Sequence, residues 1–459
     1  MKRVAIIALV VLTVSTLFSF ALAGDLSKLK ARLADALNKQ EYTTAASVIV
    51  ELGEENSLEA AKIIISVALN PKIESQDVFK AAKEALSSIT DEKAIKFICD
   101  SAKKSREWRL RMFLAEVLGE MKGAAVVDAL IAMLEDRQPE VIREVILSLK
   151  KLDDIKAVDG LIDVLEKLEK EKGRPWIEAR KALTALTGAD YETAQKWREY
   201  WLVRKEELKA NPETAKPKMD GDMSTSLDEE VKKAPKFFGK EIMSRRIVFV
   251  IDTSGSMIMK DRGTGGGEAG DAKKGASEYS KMPKDRMRIE RAKNELKKAV
   301  AGLPPAAKFN VIAFSSHISP WQKKKLVPAN SKNKRAAIAF FDRFSARGGT
   351  FTDDALKEAF ANMEADTIFF LSDGAPERYP SARGQENPDN IALIDKILNF
   401  VRSENKFRKV KIFVFGFDGE GVWDPNMGEK PPYHQKAQRF IDFMKKLANE
   451  NGGEYKSIK

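Results

Sequence analysis

The chain has 459 residues, more than one hydrophobic core usually supports, so two domains or more are expected. Hydrophobic residues make up 43% and the glycine and proline counts are modest, which describes an ordinary folded protein. The formal charge of +11 comes from lysine and arginine spread along the chain with no nucleic-acid motif beside them, so it reads as a solvated basic surface and no nucleic-acid partner is expected.

The first residues, "MKRVAIIALVVLTVSTLFSFALAGD", place Lys2 and Arg3 before a long apolar run and Ala21-Leu22-Ala23 before Gly24. A charged start, an apolar stretch and a small-x-small site have the layout of a secretory signal peptide, so residues 1–23 are predicted to be removed after Ala23. The protein is then exported, periplasmic or extracellular, with no transmembrane segment after cleavage; an uncleaved membrane anchor is the alternative. No cysteine follows the apolar run, so lipoprotein processing has no acceptor. The single cysteine, Cys99, falls in an apolar helical pattern and is expected to pack as a small core residue.

Residues 24–209 read as helix after helix with short turns. "AVVDALIAMLED" and "AVDGLIDVLEKL" are self-similar, with Val126-Val127-Asp128 falling on Ala157-Val158-Asp159. Val145, Leu149 and Leu152 align likewise with Ala179, Leu183 and Leu186, and Leu110, Leu114 and Val117 with Ile142, Ile146 and Leu149. A period in the low thirties with two amphipathic helices per unit is the mark of an α-solenoid, whose units bury their apolar faces only against each other. The pattern resembles short HEAT-like repeats, with the segments before residue 90 fitting less well and read as a divergent cap. Trp197 and Trp201 share one helical face at the end of the array, where an aromatic pair is expected to plug the last repeat.

Residues 210–237 are charged and proline-punctuated, a linker by composition. From 238 to 459 apolar runs ("RIVFVID", "KFNVIAFS", "DTIFFLSD", "KVKIFVFGF") alternate with helical ones. Strand, crossover helix, strand is the grammar of a doubly wound, Rossmann-like α/β sheet, so the fold class expected is multidomain, an all-α solenoid followed by an α/β domain. Such sheets bind ligands beyond the carboxyl ends of their strands.

Three segments meet that edge. "RRIVFVIDTSGSM" ends a buried strand in Asp252 and follows it with Ser254 and Ser256. "ARGGTFTDDAL" supplies Thr350 in a loop where Gly348 and Gly349 let backbone approach closely, and "IFFLSDG" supplies Asp373 at a second strand end. Carboxylates and hydroxyls together are oxygen chemistry, suited to a hard metal ion, a phosphate or a nucleophilic serine. D-x-S-x-S, G-G-T-x-T and L-S-D-G, in this order, resemble the metal-ion-dependent adhesion site of von Willebrand factor type A domains. The resemblance covers about residues 238 to 459. It implies that Ser254, Ser256 and, in one state, Thr350 ligate the metal directly, while Asp252 and Asp373 act mainly through water and hydrogen bonds. The ion implied is a divalent cation, Mg2+ before Mn2+ or Ca2+, and the partner a protein offering a Glu or Asp carboxylate to it.

Asp353 and Asp354 stand at the next helix's start and read as helix-stabilising. Three insertions, at 258–285, after Asp373 and after Phe417, leave strand ends and are expected to crowd the same face; Trp423 and Tyr433 in the third read as contact residues or as a local anchor. The rival readings are a cell-envelope hydrolase using Ser254 or Ser256, and a purely structural scaffold. For the first there is no G-x-S-x-G elbow, and the only histidines, His317 and His434, lie in a loop and before a late helix. The reading carried forward is an exported, non-enzymatic protein-interaction module.

Overall fold

A computed structural model of the chain describes residues 26–210 apart from 71, 72 and 74, then 227–261, 280, 283–379, 387–418, 421–422 and 434–458. The proposed signal peptide, Trp423 and Tyr433 lie outside the described residues, as do the larger part of the 258–285 insertion and residues 380–386 of the one after Asp373. The chain divides into two compact units, one of residues up to 167 and 178–221, the other of residues 168–177 and 222–459.

The first unit is helical from residue 26 onward. Its helices begin where side chains satisfy the free backbone N–H groups: Ser57, Ser75 and Asp91 each accept from the amide three residues on. The repeat period is visible in the contacts themselves. The Ser148 hydroxyl donates to the Ala115 carbonyl at 2.9 Å, 33 residues away, and Lys83 pairs with Glu116 at 3.1 Å across the same separation. Asn56 reaches Thr90 at 2.8 Å, 34 residues on, so the period already holds before residue 90, where the letters alone suggested a divergent cap. Residues one period apart stand side by side on neighbouring helices, and that is how stacked repeats cover each other's apolar faces. Cys99 is buried and packs as expected. Trp197 is fully buried, its indole N–H donating to the Tyr191 carbonyl at 2.9 Å, and Trp201 is 5% exposed, so the pair is the core plug that its spacing indicated.

The second unit is built on a seven-stranded sheet. Its strands are β1 (Arg246–Asp252), β2 (Lys308–Phe314), β3 (Ile318–Pro320), β4 (Val327–Pro328), β5 (Thr367–Ser372), β6 (Lys411–Gly416) and β7 (Tyr455–Ser457). The order across the sheet is β7-β6-β5-β1-β2-β3, with β4 also on β2. All pairings are parallel except those of β3 and β4 with β2, an antiparallel edge that the polar sequence around them did not announce. The helices packed on it are α1 (Arg288–Gly302), α2 (Ser331–Phe341), α3 (Thr352–Phe360), α4 (Pro388–Arg408) and α5 (His434–Asn449).

Both faces of the sheet are covered, which is why its strands read as unbroken apolar runs. Ile247, Phe249 and Ile251 of β1 join one core with α1 and α2, while Val248 and Val250 join the other with α3, α4 and α5. Part of the stretch read as a linker is ordered structure. Residues 211–226 lie outside the described residues, but Leu227–Lys233 is helical and Lys236–Phe237 pairs with Lys240–Glu241. Phe237 is fully buried among the rings of Phe249, Phe369 and Phe415, so apolar burial overrides the charged composition that surrounds it.

Candidate functional site

β1 and β5 are register neighbours, with Ile251 opposite Leu371, so Asp252 is level with Ser372 and Asp373 follows one residue on, both acids at the carboxyl edge of the sheet. Asp252 is fully buried; its Oδ1 accepts the Ser254 amide at 2.7 Å and its Oδ2 accepts the Ser372 hydroxyl at 2.5 Å. The first of these bonds turns the chain sharply, and a short 3-10 turn, Gly255–Ile258, follows. It presents the Ser254 and Ser256 hydroxyls 3.1 Å apart, and Ser256 donates to Asp373 Oδ1 at 2.6 Å.

Thr350 is brought in by backbone. The Gly255 amide donates to the Gly348 carbonyl at 2.9 Å, and Arg347 donates to the Thr253 carbonyl at 2.8 Å, so the glycine loop lies along the serine turn. Gly348 has φ +79°, a conformation that side chains resist, and a Cβ there would stand 2.8 Å from the Ser316 hydroxyl. Thr350 then exchanges two backbone hydrogen bonds with Glu377, at 3.2 and 2.9 Å, which fastens the glycine loop to the segment following Asp373. A Cβ on Gly374 would lie 3.9 Å from the Thr350 hydroxyl, so Thr350 stands against the start of the loop after Asp373. All five residues singled out from sequence, Asp252, Ser254, Ser256, Thr350 and Asp373, thus converge on one edge.

Three participants were not legible beforehand. Ser372 holds Asp252 from below. Arg288, the first residue of α1 and fully buried, donates from Nη1 to Asp373 Oδ2 at 3.0 Å and from Nε to Asp261 Oδ1 at 3.0 Å. Arg291 completes that cluster by pairing with Asp261. In a stretch as basic as "KDRMRIERAK" nothing marks Arg288 apart from its neighbours. Arg378 is the third: it pairs with Asp353 at 2.9 Å and with Asp354, and lies 4.4 Å over the Phe351 ring. Asp353 and Asp354 do sit in the first turn of α3, as expected, and they also anchor the loop after Asp373.

The electrostatics are unbalanced. Burial pushes the Asp252 carboxyl up to about 7, with the Asp373 charge adding to the effect. Burial also raises Asp373, opposed by Arg288. Asp252 has hydrogen-bond donors around it but, among the described residues, no cationic partner within ion-pair distance, a costly state for a buried carboxylate and one that a bound cation would relieve. Among the described residues no group of three or more His, Cys, Asp or Glu side chains could hold a metal, so an ion here would have to draw on the hydroxyls of Ser254, Ser256 and Thr350 as well. Two acids and three hydroxyls on one edge fit a small hard dication. For hydrolysis the arrangement is poorer: Ser256 donates to a carboxylate, and His317 is exposed and makes no hydrogen bond with either serine.

Residues 283–427 match the family of the von Willebrand factor type A domain, and residues 98–179 match HEAT repeats. The chain carries a von Willebrand factor type A domain. The family match takes in Thr350 and Asp373 and begins after Asp252, Ser254 and Ser256. Among curated proteins, inter-alpha-trypsin inhibitor heavy chain H4 of Bos taurus is 27% identical over 221 residues, which are 46% of this chain and 18% of the relative. The von Willebrand factor A domain-containing protein 3B of Homo sapiens is 25% identical over 150 residues, 32% of this chain and 9% of the relative. The chain therefore spans less than a fifth of the length of these relatives. Solved structures similar to it include a von Willebrand factor type A protein from Catenulispora acidiphila, at 20% identity and a TM-score of 0.30, covering 46% of this chain and 38% of that one. The PilB minor pilin from Streptococcus sanguinis matches at 18% identity and a TM-score of 0.29, covering 48% and 58%. HEAT-like repeats precede the type A domain in the chain.

Proposed function

We propose that the protein is an exported interaction module whose type A domain captures an acidic side chain of a protein partner through a divalent cation held at Asp252, Ser254, Ser256, Thr350 and Asp373. The type A domain itself supports a protein–protein interaction role. The observation that carries the finer reading is the buried Asp252 carboxyl, without a cationic partner among the described residues, beside two hydroxyls 3.1 Å apart. Ser254 and Ser256 would hold the ion directly, and Thr350 in one state. Asp252 and Asp373 would orient the hydroxyls and the ion's water while balancing its charge. When bound, a Mg2+-type ion supplies an electrophilic centre for a carboxylate oxygen. With a shell of mostly neutral ligands, its affinity for the bare site should be modest.

Export rests on the leader-like first 23 residues, and N-terminal sequencing of the mature protein should begin at Gly24. The metal reading is tested by thermal melts of the parent and of Asp252→Ala, titrated with Mg2+, Mn2+ and Ca2+. The parent should be stabilised and the variant should not; a variant that titrates like the parent would refute the site. Pull-downs from envelope extract, with and without chelator, test the partner side of the same reading.

A further inference from the structure

We infer that the cleft beside the serine turn seats additional carboxylates of the same protein partner, so that the segment recognised is acidic over several residues and not a lone Glu or Asp. This rests on the reading of the neighbouring site as one that captures a carboxylate. The cleft encloses about 630 Å³ and is lined by Thr253, Ser316, His317, Arg343, Arg347 and Gly348 among others, a volume within the usual range for ligand sites. It is continuous with the metal loop, since Thr253 follows Asp252 and the Gly348 carbonyl accepts from Gly255.

Its charge is one-sided. Arg343 and Arg347 are exposed, and among the described residues neither guanidinium has an ion-pair partner. The acid next in sequence, Asp342, is already paired with Lys297 at 3.2 Å, and among the described residues no carboxylate lines the cleft. Elsewhere in the domain cationic side chains at the sheet edge are spent on acids of the chain itself, Arg288 on Asp373 and Asp261, Arg378 on Asp353 and Asp354. Two unpaired guanidinium groups in a cleft also lined by Ser315, Ser316, Ser319 and Ser345 favour carboxylate oxygens, which arginine binds with its planar fork. An extended polypeptide presents successive side chains roughly 3.5 Å apart along its length, so a segment placing one carboxylate at the metal loop would carry its neighbours into the adjoining cleft.

The test uses the intact chain in Mg2+ and two labelled peptides in a glycine-serine frame, one with a single glutamate and one with three consecutive glutamates, read by fluorescence anisotropy. The three-glutamate peptide should bind about tenfold more tightly. The double variant Arg343→Ser/Arg347→Ser should remove that advantage. Lys323→Ser/Lys325→Ser makes the same charge change on exposed residues near the opposite end of β2, and should keep it. Equal binding of the two peptides by the parent, or equal losses in both double variants, would overturn the cleft while leaving chelator-sensitive capture of the single glutamate intact. Loss of the advantage in the arginine variant combined with indifference to chelator would keep the cleft and overturn the metal reading. Tighter binding of labelled dextran sulfate than of the three-glutamate peptide at about 0.15 M salt, lost in the arginine variant, would overturn the assignment to a protein segment, and binding of neither peptide would overturn both readings.

Discussion

Arg288 and Asp373 form an ion pair of 3.0 Å in which both side chains are almost wholly buried, and the other oxygen of the same carboxylate accepts the Ser256 hydroxyl at 2.6 Å. The acid at the heart of the proposed metal site is therefore already half satisfied by the protein's own cation. Arg288 stabilises the domain without an ion and, by placing positive charge close by, opposes the binding of one.

Removing Arg288 should separate these two effects. Arg288→Met leaves Asp373 and Asp261 with a buried cation fewer and should cost about 3–5 kcal/mol in urea unfolding with chelator present. Added Mg2+ should then recover more stability in the variant than it adds to the parent. An equal or smaller magnesium increment in the variant would show that Arg288 does not oppose the ion.

The pH dependence of the chelated protein follows from Asp252, whose carboxyl is raised to about 7, and from Asp373, raised in the same direction. A carboxyl with a folded pKa above its unfolded value binds more protons in the native state, so its contribution is fully present below about pH 4 and is lost as pH climbs toward 7. Melting temperatures in chelator should therefore decline between pH 5 and pH 8, relative to Asp252→Asn, and the decline should shrink when Mg2+ is present. Parallel curves for parent and Asp252→Asn would contradict the assignment of the raised group.

Gly348 tests how the glycine loop is held. Its φ of +79° and the 2.8 Å approach of a would-be Cβ to Ser316 make Gly348→Ala strained. Unfolding should show a loss of about 1–3 kcal/mol. Since this loop carries Thr350, magnesium stabilisation should weaken too; an unchanged magnesium response would mean that Thr350 takes no part.

In the helical unit, Trp197 is fully buried with its N–H bonded to Tyr191. Trp197→Ala should cost about 3–5 kcal/mol by leaving a cavity at the end of the array. Calorimetry should show the transition that magnesium does not shift moving to lower temperature; an unmoved transition there would deny the plug its structural role.

Much of this molecule was legible because its signals are local. The run from Arg246 to Asp252 is short, apolar and rich in β-branched residues between arginines and a Ser-Gly turn, which marks a covered strand, and the period in the low thirties announced the stacked helices whose contacts include Ser148 on Ala115. The three motifs named their residues because each sits where a strand or a glycine loop ends. What pairs across the sheet was hidden. Arg288 meets Asp373 across 85 residues, Ser372 reaches Asp252 across 120, and Arg378 reaches Asp353 only once the loop after Asp373 folds back. Composition also misjudged residues 227–237, where a few buried aromatic rings outweigh many solvated charges. By itself, then, the sequence determined the main helices and parallel strands, the repeat, and the identities of the five oxygen-bearing residues. Only the tertiary structure decided which cation answers which buried carboxylate, because the cost of burying a charge is met by whichever partner the fold brings within a few ångströms, and sequence distance carries no record of that.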